Sequence, residues 1–505
     1  MITKWKKTTI LSIIGTQLIG CSLAPRPFDP QQKVVNLERD INALNLVRPP
    51  LPKQLSLNHA IARALKYNLD YRIKLTEQAM AQTDMRIANL NMLPNLVAHA
   101  GYVDRNNINE VLSPITGQVS TAEDRVRRLA DLNFSWNILD FGVSYFESKQ
   151  KADLVLIAEQ QKRKMIQRIS KDTRKAFWRA YSASHYFAKA NGFDRKLKVA
   201  INNSLKAEKE KLMPPVDAAR YRRDLWLLYN QIINLNFELA RFKPELLSLI
   251  SAPSHTPTVL TIHPAEQISI TRQLPGQLDK LEQLALFYRP ELQEENYRKR
   301  ISLNEVRKAR VRLLPGLEVN YGSYYDSNSF LVNNSWNQLS LSLSWNIIKI
   351  LANTKKLRMA GQEAFLTEIR RVALSMAIIT QVDIAKLSYA YAKENLYTNE
   401  QVLKNEQAIY DTLLKQQGNF ESQFSLVKAQ GALILAQLRR DLAYADYQTA
   451  AAELLNSLGL DPVYHTESIA LSVGELTKLI THVDAHPIFK EQNIEKVLQG
   501  VTPIK

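Results

Sequence analysis

The sequence predicts a mainly α-helical chain with a small β part, in which long antiparallel coiled-coil helices and four strands are built as two tandem copies of one unit. Three observations carry that prediction. In NQLSLSLSWNII, Asn337 to Ile348, the side chains Leu339, Leu341, Leu343, Trp345 and Ile347 alternate with Gln338, Ser340, Ser342, Ser344 and Asn346. This is the period-two pattern of a strand with one apolar and one wet face. From Val143 to Lys211 there is no proline, and as helix such a run extends roughly 100 Å. Short motifs also return in the same order in both halves of the 505-residue chain, the signature of an internal repeat.

The chain begins MITKWKK and runs through TTILSIIGTQLIG to Cys21, a basic stretch followed by an apolar one. That layout is a secretory signal over residues 1–20, too short to span a bilayer. Leu18, Ile19, Gly20 and Cys21 resemble a bacterial lipobox. The resemblance implies cleavage before Cys21, acylation of that residue and, with Ser22 after it, delivery to the outer membrane. Cys21 is the sole cysteine, so no intramolecular disulfide can form. Residues 21–54 then read as an acylated, extended segment.

The first copy covers residues 55–252: a helix, strands at 96–106 and 131–139, and helices at 143–211 and 215–252. Along the first long helix Met165, Ile169, Ala176, Ala180, Ala183, Phe187, Ala190, Leu197 and Ile201 keep three-and-four spacing, a coiled-coil seam with alanines for close approach. A Pro-rich linker follows at 253–275, with Pro253, Pro257, Pro264 and Pro275. The second copy covers 276–458, with a helix, strands at 317–325 and 338–347, and helices at 352–417 and 420–458. A tail, 459–505, closes the chain.

The repeat rests on matched landmarks. LPNLVAHAGY from Leu93 answers LPGLEVNYGSY from Leu314, and FSWNILDFG from Phe134 answers LSWNIIKIL from Leu343. Ala64 to Ala285 and Pro94 to Pro315 are both 221 residues apart, whereas Trp136 to Trp345 is 209 and Glu245 to Glu453 is 208. The 12 residues lost between the first two landmarks and the third fall in the loop joining the strands of each pair. Length variation belongs in exposed loops.

Four strands cannot close on themselves, because single-chain outer-membrane barrels need about eight and open edges are not tolerated in hydrocarbon. Subunits must pool strands. Two would give eight and a filled interior; three would give twelve and an open centre. Trp136, Leu341, Leu343 and Trp345 would then face lipid, and the Ser and Asn rows would face water.

The tandem halves, LP before the first and third strands, SWNILDFG leading into a long helix, and the lipobox together resemble the TolC-like outer membrane factor family over roughly residues 50–460. The resemblance implies a homotrimer with a twelve-stranded barrel in the outer membrane and an α-helical tunnel in the periplasm. It implies an exit duct of a tripartite efflux pump, working with a periplasmic adaptor and an inner-membrane transporter. A type I protein-secretion channel is the alternative within the family, and a lipid-anchored coiled-coil tether is the alternative outside it. In that family the periplasmic helix turns dock the adaptor, which points to Pro214, Pro215, Gly418 and Asn419. Two acids usually follow near the aperture. Here Asp217 matches the first, but Ser425 stands opposite it at an offset of 208, and Arg220 and Lys428 stand where the second acid would be. A ring of charge selects ions by sign, so the expected aperture favours cations less than its relatives do.

Other function classes find little support. The formal charge of +17, or +14 once Lys4, Lys6 and Lys7 leave with the signal, is dispersed along helices and gives no nucleic-acid patch. His482 and His486 have metal-ligand spacing with Asp484 between them, but Pro487 and the tail location favour a solvated segment. No nucleophile motif, phosphate loop or cysteine cluster suggests an enzyme or a cofactor.

Overall fold

The computed structural model describes residues 27–47, 50–253, 256–262, 277–415, 420–460 and 471–485. The chain divides into a unit over Met1–Pro50 and a unit over Leu51–Lys505. In the first, helix α1 (Pro30–Val47) replaces the extended segment expected over 21–54. The cause is a reciprocal cap: Gln32 N–H donates to the Asp29 carboxylate at 2.7 Å, and Asp29 N–H donates to Gln32 Oε1 at 3.2 Å. Pro30 at the first helical position needs no donor there. The signal DPQQ was present in the sequence.

In the second unit β1 (Gln54–Leu55) leads into α2 (Leu57–Tyr67) and α3 (Leu69–Leu90), two helices broken at Asn68, whose side chain accepts from Tyr71 N–H at 3.0 Å. Strands β2 (Asn95–Asp104), β3 (Asn109–Leu112), β4 (Val119–Glu123) and β5 (Val126–Asn137) follow. The loop expected between the first two long strands thus contains a small hairpin, β3 with β4. Asn137 ends β5 and caps α4 (Ile138–Ala190), accepting from Leu139 and Asp140 N–H.

The uninterrupted helix expected from 143 to 211 is instead α4 and α5 (Phe193–Lys209), separated at Gly192, where φ is +80°. Absence of proline was an insufficient criterion, because glycine in the left-handed region ends a helix as well. The seam also differs at one place: Ile169, Ala176, Ala180, Ala183, Leu197 and Ile201 are buried, but Phe187 is 39% exposed and Tyr186 takes the inner place.

After α6 (Pro215–Ala240) and α7 (Phe242–Leu249), β6 (Val259–Leu260) pairs in parallel with β1, so part of the linker is tied to the start of the first copy. The second half runs through α8 (Leu278–Tyr288), α9 (Pro290–Val311), β7 (Gly316–Asp326), β8 (Ser335–Ser344), α10 (Ile347–Lys415) and α11 (Phe420–Ser457). The tail contains α12 (Val473–Ala485), with Ser472 and Glu475 forming a second reciprocal cap. Leu476 and Ile480 of α12 join the main core with Leu57, Ile61, Phe177, Trp178 and Leu246. Trp178 is almost fully buried, with its ring edge-on to Tyr444 at 5.2 Å.

The two halves close on matching helix ends. Ser251 (φ +53°) and Gly459 (φ +72°) each follow a helix in the left-handed conformation. At both, the next N–H reaches five residues back: Ala252 to Leu247 O at 2.8 Å, and Leu460 to Leu455 O at 3.0 Å. This is a Schellman end.

Candidate functional site

β2, β5, β7 and β8 form one antiparallel sheet in that order. Register decides what each face carries. Leu96 pairs with Phe134, Phe134 with Tyr321 and Tyr321 with Leu339; Trp136 pairs with Val319 and Val319 with Leu341. Those residues therefore share one face. On the other, Asn95 pairs with Ser135, Ser135 with Asn320 and Asn320 with Ser340. Four separate alternations become one apolar surface and one polar surface. Leu339, Leu341 and Leu343 are 67%, 68% and 71% exposed on the apolar side.

The expected lipid-facing residues do not behave alike. β8 ends at Ser344, one residue before Trp345, which is 57% exposed. Trp136 lies in β5 on the apolar face but is half-buried, with its ring edge-on to Phe141 of α4 at 5.7 Å. Among the described residues β2 and β8 each pair on one side only, so both edges present unused backbone donors and acceptors. The strands have 10, 12, 11 and 10 residues, which suits a tilted bilayer crossing.

At the sheet end remote from the helices, loops of the two halves are fastened together. Asp124 N–H donates to Asn328 Oδ1 at 3.0 Å, Ser329 Oγ donates to the Asp124 carboxylate at 2.9 Å, and Arg127 pairs with Asp326 at 3.1 Å.

The expected periplasmic turn between α5 and α6 is built by another Schellman end. Lys211 takes φ +58°, and Leu212 N–H reaches Ala207 O at 2.9 Å. Pro214 then caps α6 through its carbonyl, which accepts from Ala218 N–H at 3.0 Å, and Pro215 is its first residue. Across the turn Arg222 pairs with Glu208 at 2.7 Å. The second turn, with Gly418 and Asn419, lies outside the described residues, as do Cys21 and His486. His482 falls on α12.

Among the aperture candidates, Asp217 and Arg220 lie 3.9 Å apart on the exposed side of α6. Ser425 is exposed on α11. Lys428 donates to the carboxylate of Asp224 at 2.9 Å, and Arg223 lies 2.8 Å from the same group. The hydrogen bonds from Lys428 and then Arg223 hold the Asp224 carboxyl below its usual range. Nearby, the Tyr221 hydroxyl donates to Phe424 O at 3.1 Å with the two rings 4.0 Å apart. Burial, with the Asp224 charge beside it, pushes that hydroxyl's pKa up.

Sequence reasoning missed Tyr221 and Asp224. Pairing positions by the repeat offset brought Arg220 opposite Lys428, whereas the contact is staggered by one helical turn, from Lys428 to Asp224. A search one turn along the same helix face would have found it.

No protein-family model matches the sequence, and no curated protein matches it. Solved structures do match in fold. The outer-membrane channel OprN superposes with a TM-score of 0.64 at 16% identity, over 80% of this chain and 90% of that one. CusC, whose structures describe transmembrane channel formation, gives 0.63 at 15% identity, over 87% and 100%. The open state of the Neisseria gonorrhoeae MtrE outer membrane channel gives 0.61 at 17%, over 80% and 89%. The chain therefore has the fold of a TolC-like outer-membrane channel subunit.

Proposed function

We propose that this chain, having the fold of outer-membrane channels, is itself the outer-membrane exit duct of a tripartite efflux pump. One observation carries the reading: a four-stranded sheet, apolar on one face and polar on the other by register, with both edges unpaired among the described residues. Such edges are satisfied in lipid only by strands of further copies. Three copies give twelve strands and a lumen lined by the Asn and Ser rows.

The helices support the same assembly. α10 leaves Phe365, Ile369, Val372 and Met376 exposed at four-and-three spacing, a seam that a neighbouring copy would cover. α10 is long and apolar enough over part of its length to cross a membrane by itself. In the duct it stands in the tunnel wall, and the strands cross the bilayer. Acylated Cys21 would anchor each copy. The turns at Pro214, Pro215, Gly418 and Asn419 would dock a periplasmic adaptor, which links the duct to an inner-membrane transporter. Asp217, Arg220, Ser425 and Lys428 would line the approach to the aperture.

Single-channel conductance of the detergent-solubilised protein in planar bilayers, with its mass measured alongside, tests this. A trimer with small, stable conductance is expected. A monomer without conductance would leave a lipid-anchored tether.

A further inference from the structure

Where α3, α4, the start of α9 and the end of α11 meet, the surface forms a half-open pocket of about 410 Å³. That volume is within the range of small-ligand sites. Its wall holds Lys74, Lys164, Arg168, Lys171 and Arg289, against a single carboxylate, Glu291. None of these residues belongs to the sheet or to the tip.

Five cations around one pocket are usually neutralised by their neighbours, and part of that happens here. Lys74 pairs with Glu77 at 2.6 Å and Arg289 with Glu291 at 3.0 Å. The rest is incomplete. Lys164 reaches Glu294 at 3.5 Å, but that carboxylate is already held by Arg298 at 2.6 Å. Arg168 and Lys171 share Asp172 at 3.7 and 3.9 Å, two cations for one acid at long range. Exposed pairs of this length contribute little, so both side chains can turn to a better acceptor at small cost.

The second observation is Gln167. It lines the same pocket, is only 7% exposed, and its Nε2 lies just beneath the pocket surface with no hydrogen-bond partner among the described residues, so a rotation of the side chain is what would bring it to a ligand. A buried donor without an acceptor is costly. Its neighbour Gln161 shows the contrast, receiving Lys74 on its oxygen and giving its nitrogen to Glu294. A wall of ammonium, guanidinium and amide donors is short of acceptors, and phosphate and carboxylate groups are acceptor-rich and carry the complementary charge.

We propose that this pocket binds an anionic ligand bearing phosphate or carboxylate groups, held by Arg168, Lys171 and Lys164, with Gln167 rotating its buried amide to donate from beneath. The site is independent of the conduction reading and stands or falls without it.

Isothermal titration of the full chain in detergent at pH 7 and low salt tests it, with inorganic pyrophosphate and citrate as separate probes. Saturable binding of at least one is expected. Tighter pyrophosphate binding assigns a phosphate ligand, and tighter citrate binding a carboxylate one. The double variant Arg168→Gln, Lys171→Gln should weaken binding at least tenfold, and Gln167→Leu should weaken it several-fold. Lys428→Gln, at the tip, should leave it unchanged. Arg168 and Lys171 are not core residues, so the double variant should keep its melting temperature and report on binding alone. Absence of heat with both probes at millimolar concentration, or undiminished binding by the double variant, would overturn the proposal.

Discussion

The Lys428 ammonium lies 2.9 Å from the Asp224 carboxylate, tying the start of α11 to the first turns of α6. The tie sets a basic residue expected to bias the aperture against a carboxylate that it shares with Arg223. Arg220 is similarly near Asp217, though at 3.9 Å. The ionic character of the tip thus depends on pairs and not on the two cations alone.

Breaking the pair should loosen the tip with little loss of global stability. The side chains are 49% and 31% exposed, and exposed pairs contribute about 0.2–1 kcal/mol. Asp224→Asn should therefore leave the melting temperature nearly unchanged while raising mean conductance and shifting the reversal potential in a salt gradient toward anions, because Lys428 is then unmatched. Unchanged conductance and reversal potential would remove Asp224 from any account of the aperture.

The same pair gives a signed pH dependence. The Asp224 pKa is depressed in the folded chain, so its contribution is present at neutral pH and is lost as pH falls through that lowered value, below the ordinary 3.8. Conductance should stay flat from pH 7 to about 4.5 and rise only in stronger acid. The Asp224→Asn variant should lack the rise.

Lys substitution should distinguish the two sheet faces. Leu341→Lys, on the apolar face, should cost about 2–4 kcal/mol if that face meets the bilayer midplane, and should reduce the yield of membrane-inserted oligomer. Ser340→Lys, one residue earlier on the opposite face, should insert normally and alter ion selectivity. Equal insertion of both would argue against a lipid-facing apolar side.

Gly459 should not accept a side chain. A Cβ there would lie 2.7 Å from the Tyr288 carbonyl carbon and 2.8 Å from Arg289 N, at φ +72°. Gly459→Ala should destabilise by upwards of about 2 kcal/mol, strain and clash together. Ser251, the residue 208 positions earlier in the same helix-end geometry, already bears a side chain. Ser251→Gly should change stability by less than about 1 kcal/mol. Thermal melts of the two variants would show the asymmetry.

The aromatic buried in the main core gives a larger effect. Trp178→Ala should cost about 3–5 kcal/mol, because the ring is 2% exposed and packs edge-on against Phe177, Tyr181 and Tyr444. Denaturant unfolding would measure it.

By itself the sequence determined the four long strands and the main helices, though not the helix over Pro30–Val47 or the small β3–β4 hairpin. The alternation in Leu339–Ser344 and the three-and-four spacing along α4 are local properties, set by where successive side chains point. Caps that were overlooked, Asp29 with Gln32 and the glycine end at Gly192, were local too and could have been read. The tertiary structure decided what local pattern cannot express. Strand register made one apolar and one polar surface out of four independent alternations, because a one-residue slip would have reversed any of them. Long-range packing matched Lys428 with Asp224, 204 residues away and one helical turn off the repeat offset, and it gathered Lys74, Gln167, Lys171 and Arg289 around one pocket. These relationships depend on the relative rotation and stagger of whole helices, and no short stretch of sequence contains that information.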